Sequence, residues 1–210
     1  MIEEEKKEIE RKKMLIFDTE TTGTDTATND IISCSGCISV GLDIKEWFDF
    51  YVQPFDFDNI DEKAVEIHGI SIKDMKSFEK PYDVYNKISN LFNKYIDKFD
   101  SHDKFYPMGY NVNFDLEMLN NFFLKNGDKY FGSWQNWISI DVLHMINLLH
   151  FKGNIPSKSR KLEHMAKLFG VQLNAHDALS DIQATIKIFE KINGIEFNKN
   201  NAKTNSNKKE

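Results

Sequence analysis

Cysteine is scarce in this sequence. The chain of 210 residues has two, Cys34 and Cys37, and no second pair that would complete a zinc site. Their C-x-x-C spacing lies between Ile31-Ile32 and Ile38-Ser39-Val40, a run that reads as a strand. On a strand, i and i+3 face opposite ways, so two buried thiols are expected rather than a redox pair. Long apolar runs are missing too, and no signal peptide opens the chain. The expected setting is the cytoplasm, with no membrane partner. Nor is there an excess of positive charge: 27 Lys and Arg face 33 Asp and Glu, for a formal net charge of −6. That argues against coating nucleic acid through a broad basic face, but leaves room for an enzyme that grips only a strand end. No internal repeat or domain linker is visible.

What is present is an ordinary globular composition, 40% hydrophobic and 29% charged, of a length that suits one domain. Residues 1–13 form a charged arm, residues 14–194 the folded domain, and residues 195–210 a tail rich in Asn, Lys and Ser that is expected to be disordered. Apolar runs predict strands over 14–17, 31–40 and 46–52, close enough for an antiparallel meander. Further strands are expected over 105–110 and 137–140. Between them the periodicity predicts helices. One starts at Asn59 and Glu62, with Ile60, Ala64 and Ile67 on its buried face. A short one follows Ser71 and Asp74. A long one follows Pro81 and carries Val84, Ile88, Leu91, Phe92, Tyr95 and Phe99. Others carry Leu116 to Phe123, start at a capping Asp141, end at Gly170, or run through Ile182 to Phe189. The fold expected is α/β, a central five-stranded mixed sheet flanked by helices.

The chemistry gathers around Phe17-Asp18-Thr19-Glu20-Thr21-Thr22-Gly23. It follows the apolar run Met14-Leu15-Ile16-Phe17. At i and i+2 on an extended chain, Asp18 and Glu20 share a face. Two acids at the end of a buried strand repel each other and resist desolvation, and a divalent cation relieves both problems. An acidic strand end entering a polar turn is the bland alternative, and the other acids decide between them. Asp115 lies at the start of a helix, and His176 and Asp181 lie near the start of the last one. His176 and Asp181 are about 140° apart on a helical wheel, so they converge only if His176 precedes the helix. Four carboxylates and a histidine suit two-cation phosphodiester hydrolysis, with water as the attacking group and the histidine as base.

FDTETTG, NVNFD and HDALSD, in this order, resemble the three motifs of the DEDDh group of 3′→5′ exonucleases, within the ribonuclease H-like superfamily. The likeness runs from about Met14 to Ile192 and takes in His68-Gly69-Ile70 and Gly109-Tyr110-Asn111. It is strongest to the proofreading (epsilon) subunit of bacterial DNA polymerase III and its stand-alone relatives. The resemblance implies that Asp18 bridges two divalent cations, Mg²⁺ or Mn²⁺. Glu20 and Asp181 would complete the tighter cation site, Asp115 would hold the second, and His176 would be the general base. Thr21 and Thr22 would lie against the terminal nucleotide, with His68 and Asn111 also near the strand. A sister branch has tyrosine four residues before the last acid; here that position is Asp177. Tyr110 stands where the family often has histidine.

The expected function is therefore release of nucleoside 5′-monophosphates from the 3′ end of DNA, in proofreading or DNA repair, alone or beside a polymerase subunit. Trimming of RNA ends on the same fold and a non-catalytic polymerase-associated subunit are the alternatives. The basic run Lys152, Lys158, Arg160 and Lys161 is either a phosphate contact or a solvated loop. His102, His144, His150 and His164 read as structural or surface residues.

Overall fold

The computed structural model describes residues 12–155, 159–173, 178–200 and 202–208. Strands β1 (Lys13–Thr21), β2 (Ile31–Val40) and β3 (Asp43–Tyr51) come first. Helices α1 (Glu62–His68), α2 (Ile72–Ser77) and α3 (Pro81–Asn93) follow, then β4 (Phe105–Gly109) and α4 (Val112–Lys125). The chain continues through β5 (Ile140–Asp141), α5 (Val142–Phe151), α6 (Leu162–Leu168), α7 (Ala178–Asn193) and β6 (Lys203–Ser206). The sheet order is β5-β4-β1-β2-β3-β6. β2 is antiparallel to β1 and β3, whereas β4 runs parallel to β1, β5 to β4, and β6 to β3.

β1 is the central strand and is covered on both faces, which is why its start reads as an unbroken apolar run. Leu15 and Phe17 enter the cluster that contains Leu116, Phe122 and Phe123 of α4 and Val84 and Ile88 of α3. Ile16 enters the opposite cluster, with Ile182 and Ile186 of α7 and Met165 of α6. Cys34 and Cys37 divide in the same way, one in each cluster, and both are buried free thiols. Burial pushes both thiols up beyond the ordinary range. Where β4 meets β1, only glycine fits: a Cβ on Gly109 would stand 2.9 Å from the Phe17 carbonyl oxygen.

Several expectations need correction. The sheet has six strands, because the tail expected to be disordered supplies β6. Its composition lacks apolar groups, but the free edge of β3 offers backbone pairing. The Asn207 side chain locks the end, accepting from Tyr51 N at 2.6 Å and donating to Tyr51 O at 2.8 Å. α1 starts after Asp61, whose carboxylate accepts from Lys63 N at 2.9 Å, whereas the Asn59 amide reaches Thr28 O. Ile67 faces solvent, and His68 is the buried residue of α1. α3 ends at Asn93, and Phe99 beyond it is 89% exposed. Of the strand expected over 137–140 only Ile140 pairs, continued by Asp141, and Trp137 and Ile138 are exposed. The short helix expected at Ser71 and Asp74 is present, and the two residues form a capping box.

Candidate active site

Asp18 and Glu20 sit on the last residues of β1, just before its pairing with β2 shifts register between Glu20 and Thr21. The chain leaves the sheet there, and both side chains keep partial access to solvent. Asp115 is buried in the first turn of α4, and Asp181 lies in the first turn of α7. Two helix starts and one strand end therefore bring four carboxylates together.

Their charges show how close they are. Burial pushes the Asp18 carboxyl well above the usual carboxylate range, and Asp115, Glu20 and Asp181 push it further. Burial raises Glu20 to about 7, with Asp181 and Asp115 adding to the shift. Burial also raises Asp115 to about 7, against the opposing pull of its hydrogen bonds from Thr19, with Asp141 pushing upward as well. Among the described residues, no three acid, histidine or cysteine side chains already form a cation cage. The donor chemistry nevertheless fits a hard divalent cation: the four side chains are all carboxylates, and each of the three shifted ones is raised by a neighbouring acid.

Two residues outside the expected site, Thr19 and Asp141, hold this arrangement. Thr19, between the two acids, points to the other face of β1. Its backbone N and its Oγ1 both donate to Asp115 Oδ1, at 2.9 and 2.7 Å. The period-2 rule applied to Asp18-Thr19-Glu20 is the signal that would have found it. Asp141 caps α5, as expected, by accepting from Leu143 N at 2.9 Å. The same Oδ1 accepts from Asn111 N at 3.0 Å and so fixes the entry to α4.

Asn111 has φ of 63°, the one positive φ outside glycine among the described residues. It stands at the N-cap of α4 without a side-chain capping bond, and its side chain is exposed. Asn113, two residues on, accepts from Ser139 Oγ at 3.0 Å. Thr21 Oγ1 donates to Gly23 O at 2.7 Å. Thr22, expected against a nucleotide, is fully buried and its polar groups are engaged internally. Its Oγ1 accepts from Asp30 N, its N donates to Asp30 O, and its O accepts from Asp61 N. Thr22 therefore latches the loop after β1 to the start of α1. His68 is buried, and its Nδ1 accepts from Ile70 N at 3.0 Å. Tyr110 OH donates to Arg160 O. His176, Asp177 and Lys158 lie outside the described residues.

A mixed sheet in this strand order, with acids at the end of its central strand and at two helix starts, defines a ribonuclease H-like nuclease fold. Residues 15–189 match the family described as Exonuclease (RNase_T), and the chain belongs to that family. Exodeoxyribonuclease I of Escherichia coli K12 is 40% identical over 92 residues, which are 38% of this chain and 19% of that protein. Exodeoxyribonuclease I of Buchnera aphidicola is 37% identical over 94 residues, 39% of this chain and 23% of that protein. The solved structure of E. coli exonuclease I in complex with a dT13 oligonucleotide superposes with a TM-score of 0.72 at 28% identity. That match covers 88% of this chain and 42% of the other. A zinc-ion-bound form of the E. coli exonuclease I–single-stranded DNA complex gives a TM-score of 0.71 at 27% identity, covering 86% and 41%. The chain thus spans less than half the length of these relatives.

Proposed function

We propose that this chain hydrolyses single-stranded DNA from its 3′ end, releasing nucleoside 5′-monophosphates. The observation that carries the reading is the convergence of Asp18, Glu20, Asp115 and Asp181: burial pushes three of them upward, and Asp18 and Glu20 are pushed further by the other acids of the group. Two divalent cations, Mg²⁺ or Mn²⁺, would supply charge neutralisation at the scissile phosphate and a more acidic attacking water. Asp18 would touch both, Glu20 and Asp181 one, and Asp115 the other. Thr19 holds Asp115 in place for this task. An imidazole nitrogen of His176 would accept the proton of the attacking water. Thr21, His68 and Asn111 would contact the terminal nucleotide; Thr21 directly follows Glu20, and Asn111, at the N-cap of the helix that carries Asp115, has an exposed side chain. The expected contact of Thr22 would be indirect, through the loop that it anchors.

Exonuclease I relatives, including one bound to a dT13 oligonucleotide, favour DNA over RNA as the substrate. Repair or proofreading in the cytoplasm, alone or with a polymerase subunit, is the setting we assign. No described helix is long and apolar enough to cross a membrane. The test is digestion of matched 5′-labelled single-stranded DNA and RNA with Mg²⁺, beside Asp18→Ala and His176→Ala. Laddering from the 3′ end of DNA, lost in both variants, is expected. Faster loss of RNA would move the chain to RNA trimming, and no digestion of either with Mg²⁺ or Mn²⁺ would overturn the enzymatic reading for this chain.

A further inference from the structure

Beyond the carboxylates, the same end of the sheet carries an aromatic cleft. Glu20 pairs with Ser33, and Ser33 with Tyr51, so Tyr51 stands in the same transverse row as Glu20. Two strand spacings separate them, about 10 Å. β3 leaves the sheet at that row, and its exit forms one wall of a cleft of about 380 Å³. Pro54, Phe55, Phe57, Lys80, Pro81 and Tyr82 line it.

The walls are rigid. Gln53 N donates to Glu79 O at 2.9 Å, and its side-chain amide donates to the carbonyls of Lys76 and Phe78 at 2.8 and 2.9 Å. Tyr82 is 62% exposed, and it stacks at 6.1 Å on Tyr85, which packs in turn on Phe123. Phe55 is 40% exposed and leans on Phe122 at 5.9 Å. Each ring leans on a neighbouring ring and keeps part of its surface in solvent. Lysines stand over the phenyl rings: Lys125 Nζ lies 5.8 Å from the Phe55 centroid, and Lys76 Nζ 5.9 Å from that of Phe57. The acids of this wall are in part spent locally, since Asp56 Oδ1 accepts from Asp58 N. The cleft is also tied to the first motif. Asp30 accepts from Asp56 N and from Lys125, and its own N donates to Thr22 Oγ1.

We propose that this cleft is a second nucleic-acid site, in which unpaired bases of the strand stack on Tyr82 and Phe55 while their phosphates meet Lys76 and Lys80. Fixed, partly exposed rings interleaved with lysines are what sequence-independent single-strand binding requires. The cleft lies at the end of the sheet where the carboxylates lie, which favours the strand over a proline-rich peptide. A few nucleotides span the gap from the terminal phosphodiester to Tyr82, so the site engages only strands longer than a trinucleotide. This inference rests on the proposed exonuclease reading and adds to it a preference for strand length.

The test uses the full chain with oligothymidylates of three and about 15 nucleotides. KM is read with Mg²⁺, and binding is read by fluorescence anisotropy in EDTA. Tyr82→Ala is expected to weaken binding of the longer strand and raise its KM by about tenfold, with the trinucleotide and kcat unchanged. Lys80→Gln is expected to make the salt dependence of binding shallower by about 0.7 in log–log slope. Circular dichroism of Tyr82→Ala checks that it folds. Unchanged binding of the longer strand, or equal loss for both lengths, overturns the cleft. If the parent chain binds the longer strand without degrading it and Tyr82→Ala weakens that binding, the exonuclease reading fails and the cleft stands. If the parent chain degrades both lengths and Tyr82→Ala changes neither, the reverse holds.

Discussion

At the scale of single residues, Thr19 shows how one side chain joins two motifs. It carries no charge, yet both of its polar donors end on Asp115 Oδ1. Without the hydroxyl, Asp115 keeps the backbone donor but loses the one that fixes its rotation. Thr19→Val is therefore expected to lower kcat on single-stranded DNA by about 10- to 100-fold, the usual cost of losing a partner that orients a ligand. Thr19→Ser should recover most of it, and KM should move little. A Thr19→Val enzyme with full kcat would show that the backbone bond alone positions Asp115. Asp141 acts one step further back. Its Oδ1 serves two backbone donors at the starts of α4 and α5. Asp141→Ala orphans both, and about 2 kcal/mol of stability is expected to go with them. A chemical-denaturation midpoint unchanged in that variant would refute the account. The acids themselves were legible in the sequence, because strand period and helix start fix where they stand. The partners that hold them were not, because a threonine between two acids and an aspartate before a helix have ordinary local explanations.

At the scale of elements, the sequence was informative wherever apolar periodicity ran long. β1, β2, α4 and α7 lie where the pattern puts them, and α3 starts there. It misled where a short segment takes its structure from a neighbour. Trp137 and Ile138 have strand-forming side chains, but pairing begins only at Ile140, opposite Met108. Asn59 has the spacing of a helix cap, but its amide is drawn to the loop after β1. Residues 203–206 have nothing apolar to bury and form a strand only because the β3 edge is there to pair with. Asn207 closes that pairing with two bonds to Tyr51, the residue in the row of Glu20 and beside the aromatic cleft. Asn207→Ala is expected to lower the amide-exchange protection of residues 203–206 by about fivefold, the effect of losing roughly 1 kcal/mol of net hydrogen bonding. The thermal midpoint should drop by only about 2–4 °C. Unaltered protection would mean that the backbone ladder alone holds β6.

At the scale of the whole molecule, the acids at the centre oppose the fold that holds them. Burial and repulsion from neighbouring acids raise Glu20 and Asp115 to about 7, and raise Asp18 as well, from ordinary values near 4. Between about pH 4 and pH 7 the folded chain therefore keeps protons that the unfolded chain has released. Stability then falls as pH rises through that window and levels off above it, the opposite sign to that of a salt-bridged carboxylate. In EDTA the thermal midpoint is expected to fall between pH 5 and pH 8, on the order of 5 °C for a chain of this size. Glu20→Gln removes one of the charges, so it should be more stable than the parent at pH 8 and no more stable at pH 5. Millimolar Mn²⁺ or Mg²⁺ should raise the parent's midpoint at pH 8 far more than at pH 5, because a cation that binds only the folded, deprotonated acids stabilises by mass action. Glu20→Gln should lose most of that gain. A midpoint in EDTA that rises from pH 5 to pH 8 would contradict the raised carboxylates. A cation effect equal at both pH values, or retained in full by Glu20→Gln, would place the cation away from these four acids.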